Sequence, residues 1–212
     1  MIENYLSVSG ETVNETVIER SRFICKIRRV ANEDEARAFI EEVRKEHSTA
    51  THNCYAYVAS EDGNIMKFSD DGEPQGTAGM PMLEVLRNRK LMMTAAVVTR
   101  YFGGIKLGAG GLVRAYSGAV AACLNEAKIV SNELSSELKV RLSYELYPVF
   151  LKFISDKKLC TLNSEFDRDV EITFVLPRVL EKSFTEGLTD YLLGRACIEK
   201  TGEYFYSYGG DK

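Results

Sequence analysis

The stretch Ala95 to Tyr116, AAVVTRYFGGIKLGAGGLVRAY, constrains the fold of this chain more than any other. An apolar, β-branched run through Ala96, Val97, Val98 and Thr99 reads as a buried strand. Five glycines follow at 103, 104, 108, 110 and 111, and then an apolar helical pattern through Leu112, Val113, Tyr116, Val120 and Leu124. Glycine tolerates positive φ and lets another molecule approach the main chain. A strand, a glycine-rich loop and a helix N-terminus in that order form a shaped loop whose free amides and helix dipole favour an anion. Arg100, Lys106 and Arg114 stand around it. The competing use of the glycines is tight strand-to-helix packing.

Charge is distributed to match. The chain of 212 residues carries a formal net charge of −4, yet from Val85 to Asn125 it has no Asp or Glu and six basic residues. A local field of that kind can hold phosphate on an acidic protein. The five cysteines, 25, 54, 123, 160 and 197, are scattered among apolar neighbours, as reduced buried thiols are. No apolar run reaches the length of a membrane span and the N-terminus lacks a signal-peptide pattern, so a cytoplasmic protein with no membrane contact is expected.

Along the chain, Glu11–Glu19 and Arg22–Val30 read as a hairpin, with the first 30 residues extended. Asn32 with Glu35 resembles a capping box before a helix to about His47. Strands are expected at Cys54–Ser60 and Ile65–Phe68 around the turn Glu61 to Asn64. The polar segment Ser69 to Gly79 is a loop, and Pro81 opens a short helix after it. Two helix N-termini would converge if Gly76, Thr77 and Gly79 lay beside Gly103 to Gly111. Ser131 to Ser136 breaks the apolar pattern and is taken as a boundary, giving domains 1–132 and 133–212. The second domain reads βαββαβ, a ferredoxin-like order: strand Leu138–Leu142, a helix from Pro148, strands near Cys160 and at Val170–Leu176, a helix opened by Pro177, and a last strand Ala196–Tyr208. Tyr204, Phe205, Tyr206 and Tyr208 on that strand are expected to build its core or a domain contact. The overall class is α+β.

Catalytic constellations are sparse. No cysteine pair has zinc spacing and the P-loop spacing is absent, so neither a metal nor another cofactor is expected and no catalytic residue is assigned. His52 and Cys54, two apart on a strand, would face the same way and allow a base beside a thiol. Asp70, Asp71 and Glu73 form an acidic cluster that serves either as a solvated turn or as a hold for Mg²⁺ against phosphate. From Leu134 onward the balance is 11 basic against 13 acidic residues, which makes the second domain alone a poor binder of phosphate backbone.

Three motifs carry a resemblance. ATHNCYAY (Ala50 to Tyr57), DDGEPQGTAGMPML (Asp70 to Leu83) and VVTRYFGGIKLGAGGLVRAY (Val97 to Tyr116) resemble the signature of the Impact family, in its bacterial two-domain YigZ-like branch. The resemblance implies an N-terminal α/β domain like domain IV of elongation factor G and a small-subunit ribosomal protein. It also implies a C-terminal domain like domain V of that factor. It further implies regulation of translation by protein binding in eukaryotic members, and nucleic-acid binding from the fold. The expected function is a non-enzymatic module for RNA or ribosome-associated factors, with a protein partner as another form of the same role. Its expected binding residues are Arg100, Lys106, Arg114, Gly103, Gly104, Gly108, Gly110, Gly111, Gly76, Thr77 and Gly79. The alternative is an enzyme on a small phosphorylated or anionic substrate, using His52, Asp70, Asp71 or Glu73.

Overall fold

A computed structural model of the protein describes residues 2–157 and 159–208. It is α+β, with two antiparallel sheets and five helices among the described residues, and it divides into two compact units, principally Asn4–Ser131 and Asn132–Tyr208.

The first unit contains β1 (Asn4–Val8), β2 (Glu11–Ile18), β3 (Ser21–Arg29), α1 (Glu33–Glu46), β4 (His52–Val58), β5 (Met66–Ser69), α2 (Gly79–Asn88), β6 (Thr94–Tyr101) and α3 (Gly108–Glu126). Its sheet runs β2-β3-β6-β4-β5. The expected hairpin is β2 with β3, closed between Ile18 and Ser21. Glu19 and Arg20 both take positive φ, 45° and 64°, the left-handed pair that a two-residue hairpin turn requires. The capping box is present: the Asn32 side chain accepts from the Glu35 amide at 2.9 Å, and Glu35 Oε2 accepts from the Ala31 amide at 2.7 Å.

Central strand β6 is buried on both faces, which is why it reads as a continuous apolar run rather than an alternating one. Ala95 and Val97 pack with Phe39, Ile40 and Val43 of α1. Ala96 and Val98 point the other way, into a larger core with Met82 and Leu86 of α2 and Tyr116 and Val120 of α3. Full burial of a valine side chain in such a layer contributes roughly 1.5–3 kcal/mol. β1 lies in the stretch expected to be extended but is not singled out there as a strand. It is the strand next to β7 in the sheet order, Leu6 adds an isolated parallel bridge to Leu91, and Ser7 Oγ donates to the Met93 carbonyl at 3.3 Å, a long-range arrangement with no local signature.

The second unit takes up β7 (Ile129–Leu142) and adds α4 (Tyr147–Ile154), β8 (Cys160–Phe166), β9 (Val170–Pro177), α5 (Arg178–Tyr191) and β10 (Cys197–Tyr208). This is the βαββαβ order, with β7 paired to both β10 and β9, and β9 to β8. Phe150, Phe174, Phe184 and Leu188 centre its core. Two expectations are corrected here. Ser131 to Ser136 is strand and not an interruption, because β7 runs through it with Asn132, Ser135 and Ser136 fully buried, while the division between the two units does fall within it; a ladder satisfies backbone groups whatever the side chains are. The tyrosines of β10 do not join that core. Tyr204 donates to Glu137 Oε2 at 2.8 Å, Tyr206 to Cys160 Sγ at 3.0 Å, and Tyr208 meets Ser135 Oγ at 3.1 Å.

Candidate functional site

Strand register creates the floor of the site. Arg100 on β6 lies opposite His52 on β4 and opposite Phe23 on β3, so the three stand in a row across the sheet, on the face that α2 and α3 cover. His52 and Cys54 do share that face. The loop after β5 then brings in its acids one by one. Asp71 and Gly72 take φ of 45° and 87°, a left-handed turn in which Gly72 sits against the His52 ring; a Cβ there would lie 3.3 Å from Nδ1.

The three acids part company, which corrects the expectation of one acidic cluster. Asp70 turns into α2: its Oδ1 accepts from the amides of Ala78 and Gly79 at 3.0 and 2.9 Å, and its Oδ2 from Gly76 at 2.8 Å. Asp71 accepts from the Asn53 amide at 2.6 Å and pairs with Arg44 at 3.3 Å. Glu73 goes inward and pairs with Arg100, Nη1 to Oε1 at 2.6 Å, with the side chains only 4% and 6% exposed. Tyr116 of α3 donates to the same Oε1 at 2.8 Å, and His52 Nε2 lies 3.9 Å from it. No group of His, Cys, Asp and Glu among the described residues has the geometry of a metal site.

These contacts revise the binding residues. Arg100 is not a free cation for phosphate: its charge is matched by Glu73, and its guanidinium also approaches Ser21 Oγ and the rings of Phe23 and Phe102. The N-terminus of α2 is not an open anion site, because Asp70 fills it. Thr77 is buried and donates to the Pro74 carbonyl at 2.6 Å. Gly79 and Gly103 serve packing, since a Cβ would lie 2.7 Å from the Ser69 backbone at one and 2.1 Å from the Arg20 backbone at the other.

The N-terminus of α3 is different. This 19-residue helix has no side-chain cap and no acid in its first turn. Lys106 precedes it and Arg114 lies nearly two turns in, and neither makes an ion pair among the described residues. Gly104 and Gly108, with φ of 88° and 67°, shape the approach, and Gly110 and Gly111 keep the first turn slim. Two recesses flank this corner. One, of about 450 Å³, is lined by His52, Glu73, Pro74, Arg100, Phe102, Lys106, Leu107, Gly108, Ala109 and Leu112 together with Thr51. The other, of about 380 Å³, is lined by Ile18, Glu19, Ile105, Lys106, Leu107, Gly111, Arg114 and Ala115. The two glycine loops therefore do meet, but through Glu73 and Pro74 rather than through Gly76 to Gly79.

Cys54 donates to the Asp70 carbonyl at 3.0 Å, and burial pushes its thiol up to about 12. Burial, with Cys54 and Glu73 beside it, also pushes Tyr116 far above the ordinary phenol range. Both stay protonated, so the site holds no activated thiolate. His52 Nδ1 lies 2.7 Å from the Asp71 carbonyl, which can only accept, so Nδ1 carries the proton and a neutral ring leaves Nε2 as an acceptor. Tyr116, Phe102 and Ser21 are site residues that sequence reasoning did not single out. The signal was strongest for Tyr116, whose buried hydroxyl must find a partner.

The comparisons with known proteins fall on the same residues. The model of the Impact N-terminal domain matches residues 19–124, which include every residue lining the larger recess. IMPACT family member YvyE of Bacillus subtilis is 42% identical over 206 residues, covering 97% of this chain and 94% of its own. IMPACT family member YigZ of Escherichia coli is 34% identical over 195 residues, covering 91% and 96%. Protein IMPACT of Xenopus laevis is 32% identical over 106 residues, 48% of this chain and 32% of its own. A solved structure described as a hypothetical protein superposes with a TM-score of 0.63 at 34% identity, covering 93% of this chain and 97% of its own. The chain belongs to the Impact family, and its similarity to bacterial members extends over both units.

Proposed function

We propose that this protein is a non-catalytic RNA-binding module that acts on the translation machinery. One observation carries the proposal: the long helix α3 opens uncapped, between Lys106 and Arg114, neither of which is spent on an ion pair among the described residues. Unsatisfied helix amides together with a positive macrodipole bind phosphate, and two nearby cations extend the site along a backbone. Exposed Phe102, beside the recess, adds a ring on which a base can stack. The resemblance of the N-terminal unit to domain IV of elongation factor G and to a ribosomal protein domain supports a partner of this class. So does the resemblance of the βαββαβ unit to domain V, a ferredoxin-like fold. Shared fold alone does not decide function, and the phosphate site is what the proposal rests on. The unlinked cysteines fit a cytoplasmic setting.

Fluorescence anisotropy with a labelled single-stranded RNA at stepped salt concentrations tests this. Affinity should fall with salt, and Lys106→Ala/Arg114→Ala should flatten the log–log slope by roughly 1.4, about 0.7 for each phosphate no longer held. Absence of binding at low salt, or an unchanged slope in the double variant, refutes the proposal.

A further inference from the structure

The larger recess has a polarity that bare phosphate binding does not use. Its inner end offers acceptors: Arg100 also lines it, but Nη1 and Nη2 are turned to Glu73 and Ser21, and Nε, which has no partner among the described residues, is buried out of reach. Glu73 Oε1 is saturated by Arg100 and Tyr116, while Oε2 takes no hydrogen bond among the described residues, although the side chain is only 4% exposed and lines the recess. Beside it, the Nδ1–H···Asp71 carbonyl bond sets the tautomer in which the neutral His52 ring offers Nε2 as a second acceptor. Its outer rim holds donors: Lys106 and the amides at Gly108 and Ala109. Between the two ends the walls are apolar and partly flat, with Phe102, Leu107, Leu112 and Pro74.

A phosphate pushed to the inner end would meet a carboxylate. The group that enters must instead donate, and two neighbouring acceptors ask for two neighbouring donors. Among the nucleobases only guanine offers adjacent N–H donors on its pairing edge, N1–H and the N2 amino group; adenine, cytosine and uracil each place an acceptor next to their donor. A volume of about 450 Å³ lies in the roughly 300–1,000 Å³ range of small-ligand sites and accommodates one nucleotide.

We propose that this recess receives an unpaired guanine nucleotide, base inward on Glu73 and His52, ring against Phe102, phosphate outward on Lys106 and the start of α3. The inference rests on the phosphate site proposed above and adds base identity to it. Two sources share this chemistry: a guanosine within single-stranded RNA and a free guanine mononucleotide.

Isothermal titration of the unaltered full chain with GMP, IMP, AMP, CMP, UMP and guanosine tests it, followed by anisotropy with uridine heptamers carrying one central G or A. GMP is expected to bind at least tenfold tighter than AMP, CMP and UMP. IMP, which has the same shape but lacks the N2 amino group, is expected to fall between, roughly fivefold below GMP because one buried acceptor loses its donor. A matching preference for the G heptamer assigns the site to RNA. Preference for GMP with no binding of either heptamer assigns it to the free nucleotide and refutes the RNA reading. Equal affinity for all mononucleotides and both heptamers overturns the guanine assignment while leaving salt-dependent RNA binding intact. Because Glu73→Gln unpairs a buried arginine and can prevent folding, the informative variants lie at the rim. Phe102→Ala should weaken guanosine and GMP together by roughly tenfold, the worth of one stacking contact. Lys106→Ala should weaken GMP and leave guanosine unchanged; equal loss for both ligands would overturn the proposed orientation.

Discussion

The Arg100–Glu73 pair makes the sharpest test of the site's construction. Arg100→Met removes the guanidinium and leaves a carboxylate that is 4% exposed, with the Tyr116 hydroxyl still donating to it. Breaking a buried ion pair by deleting one partner costs about 3–5 kcal/mol, or roughly two to nearly four orders of magnitude in the folding equilibrium. Glu73→Gln is expected to cost nearly as much, since it strands Arg100, whose Nε already lacks a partner. The double variant Arg100→Met/Glu73→Gln strands neither charge. Its deficit should therefore fall short of the sum of the singles by about 2–3 kcal/mol, at the upper end for directly coupled neighbours. Urea unfolding followed by far-UV circular dichroism measures all four proteins; the chain has no tryptophan to report by fluorescence. Additivity within about 0.5 kcal/mol would mean that the two side chains do not share a desolvated contact, and the floor of the recess would have to be redrawn.

Three further outcomes follow from individual side chains. Asp70→Ala should cost about 1–3 kcal/mol, because one carboxylate caps three amides at the start of α2; a loss below about 0.5 kcal/mol in the same urea assay would contradict that role. Gly103→Ala should destabilise by a few kcal/mol because its Cβ lands 2.1 Å from the Arg20 backbone, whereas Gly118→Ala, in open space within α3, should stabilise by about 0.5–1 kcal/mol; the reverse order would refute both placements. Cys54 has a folded-state pKa pushed up to about 12, above the roughly 8.5 of an unfolded thiol, so its contribution is complete below pH ~8.5 and is withdrawn as pH rises toward 12, by up to about 1.4 kcal/mol per unit. Cys54→Ala should flatten that alkaline decline, and an unchanged slope in a pH series of melts would show that the thiol titrates freely.

Local patterns carried most of the fold. The hairpin, the capped helix α1, the buried strand β6 and the βαββαβ order are written in periodicity and turn chemistry, which act over a few residues. What stayed hidden depends on distant partners. β1 is held by β7 and by Leu91 to Met93, and the buried serines of β7 look like a loop until their ladder is seen. At the site, the three motifs that converge were legible, but the use of each charge was not. The six positive charges from Val85 to Asn125 read as one patch; Arg100 is consumed by Glu73 and Arg89 bonds to Asn125, while Arg87 lies in the last turn of α2 and Lys90 in the left-handed turn just past it. Only Lys106 and Arg114 flank the opening of α3. Likewise DDGEP reads as one acidic cluster, and its left-handed turn sends Asp70, Asp71 and Glu73 to three different partners.

A buried ion pair is a poor device for stability alone. Desolvating both charges offsets most of their attraction, and well-packed apolar residues of similar volume often do as well or better. Its presence at the floor of a recess has a different physical consequence. Arg100 neutralises Glu73 without covering both oxygens, so the site keeps an acceptor while shedding the net negative charge that would repel a phosphorylated ligand. Lys106 and the helix dipole are then left as the uncompensated charge at the rim, where a phosphate can reach them and solvent can still attend the rest of the backbone. An apolar floor would keep the rim but lose discrimination; an unpaired glutamate would keep the acceptor but oppose the phosphate. The pair satisfies both requirements at once, which gives a reason for the second and third motifs to set Glu73 between Arg100 and Tyr116 in the interior of the domain.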